Sequence, residues 1–172
     1  MTDTAKFKPK TVYVTYIAAT RERVWQALTD PDFTRQYFVG RTIEIEPKAG
    51  GNFILRMPDG RVDVKGKVVE WSPPRRLAVT WTVDWIPEMR DLPACLVTYD
   101  IEQAGEAVRL TMTEAHQWDV PDALLEGGRS GWPAILSSLK SVLETGCPLA
   151  LKLEPPKAMM EALQMLRPKL KP

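Results

Sequence analysis

Two ionisable residues, Glu114 and His116, close a run in which Leu110 and Met112 alternate with polar neighbours. Alternation at period two places all four side chains on one face of a strand. A carboxylate and an imidazole at the end of an apolar face could anchor the polar head of a ligand or shuttle a proton. Burial would disfavour their charged forms, and mutual pairing would favour them. The competing expectation is a strand end that has reached solvent, or an imidazole bonded to a backbone carbonyl. His116 is the only histidine in the chain. Ser72, Ser130, Ser137, Ser138 and Ser141 lack the setting of a nucleophile elbow, so a serine triad is not expected. Gly50-Gly51 and Gly127-Gly128 lack the flanks of a phosphate-binding loop. Cys95 and Cys147 have no metal-ligand spacing. With a single histidine they argue against a metal site, so neither metal nor cofactor is expected.

A second set of candidates is aromatic: Trp25, Tyr37, Phe38, Phe53, Trp81, Tyr99 and Trp132. Any one of them reads as core packing. Together they exceed what a sheet face and one helix can pack solidly, so some should line an unfilled space. Aromatic walls with a few polar groups describe a small-molecule pocket. Leu110, Met112 and Leu136 join the expected ligand-binding set by periodicity, with Glu114 and His116 at its mouth. Arg56, Asp84, Trp85, Glu88 and Arg90 are candidates for its rim, although loop charges are ordinarily solvated.

The elements that must position these residues are legible. Tyr13 to Ala19 reads as a strand. Thr20 caps a helix to Leu28 with Val24, Trp25 and Leu28 inward. Asp30-Pro31 starts a second short helix, with proline at the first position, where no amide is needed. Phe33, Tyr37 and Phe38 face inward from it. Strand patterns follow over residues 41–46, 52–57, 61–71, 76–83, 95–101 and 108–112, with a hairpin signal at Pro58-Asp59-Gly60. In the third of these, Val62, Val64, Gly66 and Val68 take the inner face, and Asp63, Lys65 and Lys67 the solvated one. A long amphipathic helix runs from Gly131 to Glu144 on Trp132, Ile135, Leu136, Leu139, Val142 and Leu143, and Gly146 ends it. Its start has two readings. Ser130 caps it with Pro133 in the first turn, or a continuous helix begins at Pro121 and kinks at Gly127-Gly128. After Gly146 a proline-stiffened segment leads to a short amphipathic helix over 158–166, carrying Met159, Met160, Leu163 and Leu166.

A charge of +1 gives no electrostatic reason to expect a nucleic-acid partner. No run approaches the ~18 apolar residues of a membrane span. The first ten residues show no apolar core of a signal peptide, so a cytoplasmic protein with reduced thiols is expected. Residues 1–10 read as a flexible N-terminus, 11–146 as the domain and 147–172 as an extension. The basic side chains of that extension include Lys152, Lys157, Arg167, Lys169 and Lys171. Its apolar stripe needs a partner, either its own domain or a second copy in a homodimer.

Val14-Thr-Tyr-Ile-Ala-Ala19, Val24-Trp-Gln-Ala-Leu-Thr-Asp-Pro31, Gly66-Lys-Val-Val-Glu70 with Pro73-Pro-Arg-Arg-Leu77, and Gly131-Trp132 leading to Leu139 and Leu143 resemble the START-like (SRPBCC) superfamily. Within it the chain resembles homologues of the heat-shock-protein-90 ATPase activator C-terminal domain. The resemblance spans residues 12–145. It implies an α+β helix-grip fold: a curved antiparallel sheet of about six to seven strands wrapped around a long C-terminal helix, with two short helices and a cavity between. The function expected is binding of a hydrophobic or amphipathic small molecule. A chaperone-cofactor or stress-response interaction module is one alternative. A cyclase or hydrolase using Glu114 and His116 is the other. A lone histidine without a nucleophile favours a binder over an enzyme.

Overall fold

The computed structural model describes residues 3–166. Arg167, Lys169 and Lys171 of the expected basic tail lie outside the described residues. Seven strands form one antiparallel sheet: β1 (Lys8–Ile17), β2 (Thr42–Ile45), β3 (Asn52–Arg56), β4 (Val62–Ser72), β5 (Arg76–Val83), β6 (Cys95–Ala104) and β7 (Ala107–His116). Their order is β1-β7-β6-β5-β4-β3-β2. Two short helices, α1 (Arg21–Thr29) and α2 (Pro31–Tyr37), follow β1. A long helix α3 (Asp122–Thr145) and a shorter α4 (Lys157–Leu166) complete the chain. This is the helix-grip arrangement.

Local chemistry explains the entry helices. Thr20 Oγ1 accepts the Arg23 amide at 3.2 Å. Asp30 accepts the Asp32 amide at 2.8 Å, with Pro31 opening α2. The core lies between the inner sheet face and α3. Val97, Ile101, Val108, Leu110 and Met112 from the sheet are buried there, as are Ile135, Leu136 and Leu139 from the helix. The C-terminal end of α3 is tied to β1. Glu144 accepts the Ala18 amide at 2.8 Å, and Lys140 donates to the Tyr16 carbonyl at 2.5 Å.

Two expectations change and two open alternatives resolve. First, β1 starts at Lys8, inside the stretch read as flexible, because β7 supplies a hydrogen-bonding partner back to His116. Second, Asp63 is buried, not solvated. It pairs with Arg41, so the β4 polar face is solvated at Lys65 and Lys67 but not here. Burial pushes its carboxyl above the ordinary range, against the pull of Arg41. Third, α3 begins at Asp122, as the continuous-helix reading had it, and Pro133 lies in its interior. The extra turns form because Leu124 and Leu125 have something to bury against. Ser130 does not cap. Its hydroxyl donates back to the Glu126 carbonyl at 2.9 Å.

Fourth, the tail docks on its own chain. Met159 and Leu163 of α4 join Ile86, Val120, Leu124 and Leu125 in a second apolar cluster. Of the two partners expected for this stripe, its own domain or a second copy, its own domain takes Met159 and Leu163. Gly127 permits the approach, since a Cβ there would stand 2.5 Å from Met159 Sδ. Leu163 is 1% exposed and Met165 76%. Leu163→Ala should therefore cost about 2–5 kcal/mol. Met165→Ala should stay within about 0.5 kcal/mol of wild type. Chemical denaturation of the two variants checks this contrast.

Candidate functional site

β5, β6 and β7 bring one rung of the sheet into a wall. Trp81 pairs with Cys95 across β5 and β6. Val97 pairs with Glu114, and Leu96 with Ala115, across β6 and β7. One step further along that register, Cys95 stands beside His116. Residues 21 apart in sequence become neighbours because antiparallel pairing brings the start of one strand to the end of the next. The spacing argument that separated the cysteines from the histidine fails for this reason.

The Glu114 and His116 side chains do share the inner face, as alternation required. Glu114 Oε1 lies 2.8 Å from His116 Nε2. Glu114 Oε2 accepts the Trp132 indole N–H at 3.1 Å from α3. The buried carboxylate thus has a partner on each oxygen, which offsets the cost of taking it out of water. Gly128 allows the helix to come this close, since a Cβ there would lie 2.6 Å from Oε2. His116 Nδ1 is buried and has no hydrogen-bond partner among the described residues. Cys95 Sγ makes a long contact of 3.6 Å to the Trp81 carbonyl. Burial, with the Glu114 charge adding to it, pushes the Cys95 thiol well above its ordinary range.

These residues line a cavity of about 250 Å³, just under the usual range of roughly 300–1,000 Å³ for ligand sites. Of the residues expected to bind ligand, Phe38, Trp81, Glu114, His116 and Trp132 line it. Trp81 and Trp132 meet edge to face with ring centroids 5.1 Å apart, and Phe38 stands 6.1 Å from Trp132. Tyr37, Phe53, Tyr99, Leu110, Met112 and Leu136 are not in that lining. They are buried in the main core. Trp25 lies apart from the cavity and packs on Trp71 at 4.9 Å.

Pattern reading missed the rest of the wall. Ile86, Met89 and Leu92 come from the loop after β5, Leu124 from the first turn of α3 and Met159 from α4. For Ile86, Met89 and Leu92 the signal was the apolar content of a segment that read as a charged loop, and Met159 stood on the apolar stripe of the expected tail helix. Of the rim candidates, Trp85 lines the cavity, while Arg90 turns back to the Asp84 carbonyl. Arg56 lies elsewhere, paired with Glu44 at 2.6 Å.

Residues 18–144 match the family model described as Activator of Hsp90 ATPase homolog 1-like protein. No curated protein sequence matches the chain. Among solved structures, a conserved protein of unknown function from Enterococcus faecalis is 21% identical with a TM-score of 0.64, and the match covers 98% of this chain and 94% of that one. The Aha1 dimer from Colwellia psychrerythraea is 19% identical with a TM-score of 0.62, over 78% and 96%. An HSP90 activator from Plasmodium falciparum is 20% identical with a TM-score of 0.61, over 77% and 94%. At these identities the likeness is one of fold.

The two thiols should differ in reactivity. Cys147 is exposed, whereas Cys95 is partly buried with a raised thiol. Since the thiolate is the reacting form, a chromogenic disulfide reagent at neutral pH should label Cys147 promptly. Cys95 should react on the order of tenfold or more slowly until the protein is unfolded. Equal rates in the folded protein would contradict this placement.

Proposed function

The chain belongs to the Activator of Hsp90 ATPase homolog 1-like family, and from that premise we propose that it binds a hydrophobic or amphipathic small molecule in the cavity beneath α3. The observation that carries this reading is the composition of the wall. Phe38, Trp81, Trp132, Ile86 and Ile135 present apolar surface, and Glu114 and His116 supply a polar patch within it. An apolar body would lie against the indoles, where each aromatic contact contributes about 0.5–1.5 kcal/mol beyond its area. A polar head would meet His116, held in orientation by Glu114. Entry requires the loop of residues 84–93 and α4 to part, because both cover the cavity. Two free thiols fit a reducing compartment such as the cytoplasm. No described helix is long and apolar enough to cross a membrane.

The test is native mass spectrometry of protein purified without added ligand, set against its denatured mass. A non-covalent mass excess is expected, as is binding of an anilinonaphthalene probe. Ile135→Trp, which fills the cavity, should weaken probe binding about tenfold or more while the protein remains folded. No mass excess and no probe binding by wild type would overturn the reading.

A second reading, association into a homodimer, is favoured by a separate observation. Val12, Val14 and Tyr16 are 56%, 45% and 54% exposed on the outer face of β1. β1 is an edge strand, and an apolar stripe on an edge invites pairing. In solution the chain should have twice its monomer mass by light scattering, and Val14→Lys should return it to monomer. A monomeric wild type would remove this reading and leave the first intact.

A further inference from the structure

Cys95, Glu114 and His116 each offer a ligand atom, and these atoms all lie within 4.8 Å of one another. A thiol sulfur, a carboxylate oxygen and an imidazole nitrogen are the donor types that zinc takes from proteins. Two further observations concern how the donors are held. His116 Nε2 stands 2.8 Å from Glu114 Oε1, so these two donors already face one another. Glu114 is itself oriented by the Trp132 indole N–H, a donor from outside the trio.

We propose that Cys95, Glu114 and His116 form a binding site for one divalent transition-metal ion of the zinc type, with the remaining coordination position facing the cavity. The charges close. One thiolate and one carboxylate neutralise a divalent ion, so the loaded site adds no net charge to an apolar wall. On binding, the Cys95 S–H bond breaks, the proton leaves to solvent and the sulfur's electron pair forms the metal bond. The imidazole stays neutral and nothing is oxidised or reduced. Tetrahedral ligation at about 2.0–2.3 Å sets donors roughly 3.3–3.6 Å apart, so the ion takes the place of the Glu114–His116 hydrogen bond, that pair parts slightly and the Cys95 sulfur draws in. Cys95 is the freest to move, since its sulfur makes only the long contact to the Trp81 carbonyl. This site does not depend on an organic ligand. It stands or falls separately from the binding reading.

The experiment is a cobalt(II) titration of chelator-treated, reduced protein. Wild type is expected to bind one cobalt ion per chain, with a thiolate-to-cobalt charge-transfer band and the intense visible bands of tetrahedral cobalt. Added zinc should displace both. Cys95→Ser should abolish the charge-transfer band, and Cys147→Ser should leave it unchanged. Trp132→Phe keeps all three ligands but removes the brace on Glu114. It should weaken affinity about 10–100-fold with the charge-transfer band retained. Circular dichroism of each variant confirms that it is folded. Absence of saturable cobalt binding by folded wild type would overturn the proposal. So would a band that survives Cys95→Ser and disappears in Cys147→Ser.

Discussion

One helix has to cover the concave face of a seven-stranded sheet. A helix with its side chains is about 10–12 Å across, while adjacent strands stand about 4.8 Å apart. α3 therefore seals only part of the face, and most of the architecture follows from this mismatch. Where α3 lies flat on the sheet, Leu110, Met112, Leu136 and Leu139 pack without a gap. Beside its N-terminal half, next to Cys95, Glu114 and His116, a cavity remains. The loop after β5 and α4 close what α3 does not reach. Their apolar cluster of Ile86, Leu124, Met159 and Leu163 is a second, smaller core built over the opening.

Trp132 joins the two regions. Its ring packs among Phe38, Trp81 and Tyr99, and its N–H is committed to Glu114. The same side chain thus belongs to the core by area and to the polar site by hydrogen bond. Burying Glu114 would be costly without this partner and His116. Gly127 and Gly128 serve the same closure from two sides. One gives room to Met159 and the other to the Glu114 carboxylate. Glycines in mid-helix lower helix stability by roughly 1 kcal/mol each relative to alanine. Close approach is what that cost obtains here.

The site is therefore supported mainly by regular elements. The three polar residues sit on strands, and Trp132 sits on a helix. The cover is built from the loop and α4. A polar patch on strands beneath a separate apolar cover is the arrangement that the proposed binding reading uses. The buried Arg41–Asp63 pair reinforces the neighbouring side, since Arg41 also lines the cavity.

The fold was legible in the sequence because its elements announce themselves locally. Thr20, Asp30-Pro31, Pro58-Asp59-Gly60 and Gly146 punctuate the chain, and period-two alternation set the inward faces of β5, β6 and β7. The shared face of Glu114 and His116 followed from that alternation alone. What lay beyond it was set by register and by docking, which depend on partners far away in the chain. Asp63 reads as a solvated strand residue until Arg41 is seen against it. Whether Pro133 sits in a first turn or inside a longer helix stays open until Leu124 and Leu125 find α4. Cys95 reads as a thiol without metal-ligand spacing until the β6–β7 pairing places it beside His116. The sequence by itself determined which residues face inward, since strand geometry makes that a local property. Only the tertiary structure decided which inward residues are packed and which line a cavity, because that depends on where a single helix stops covering a sheet.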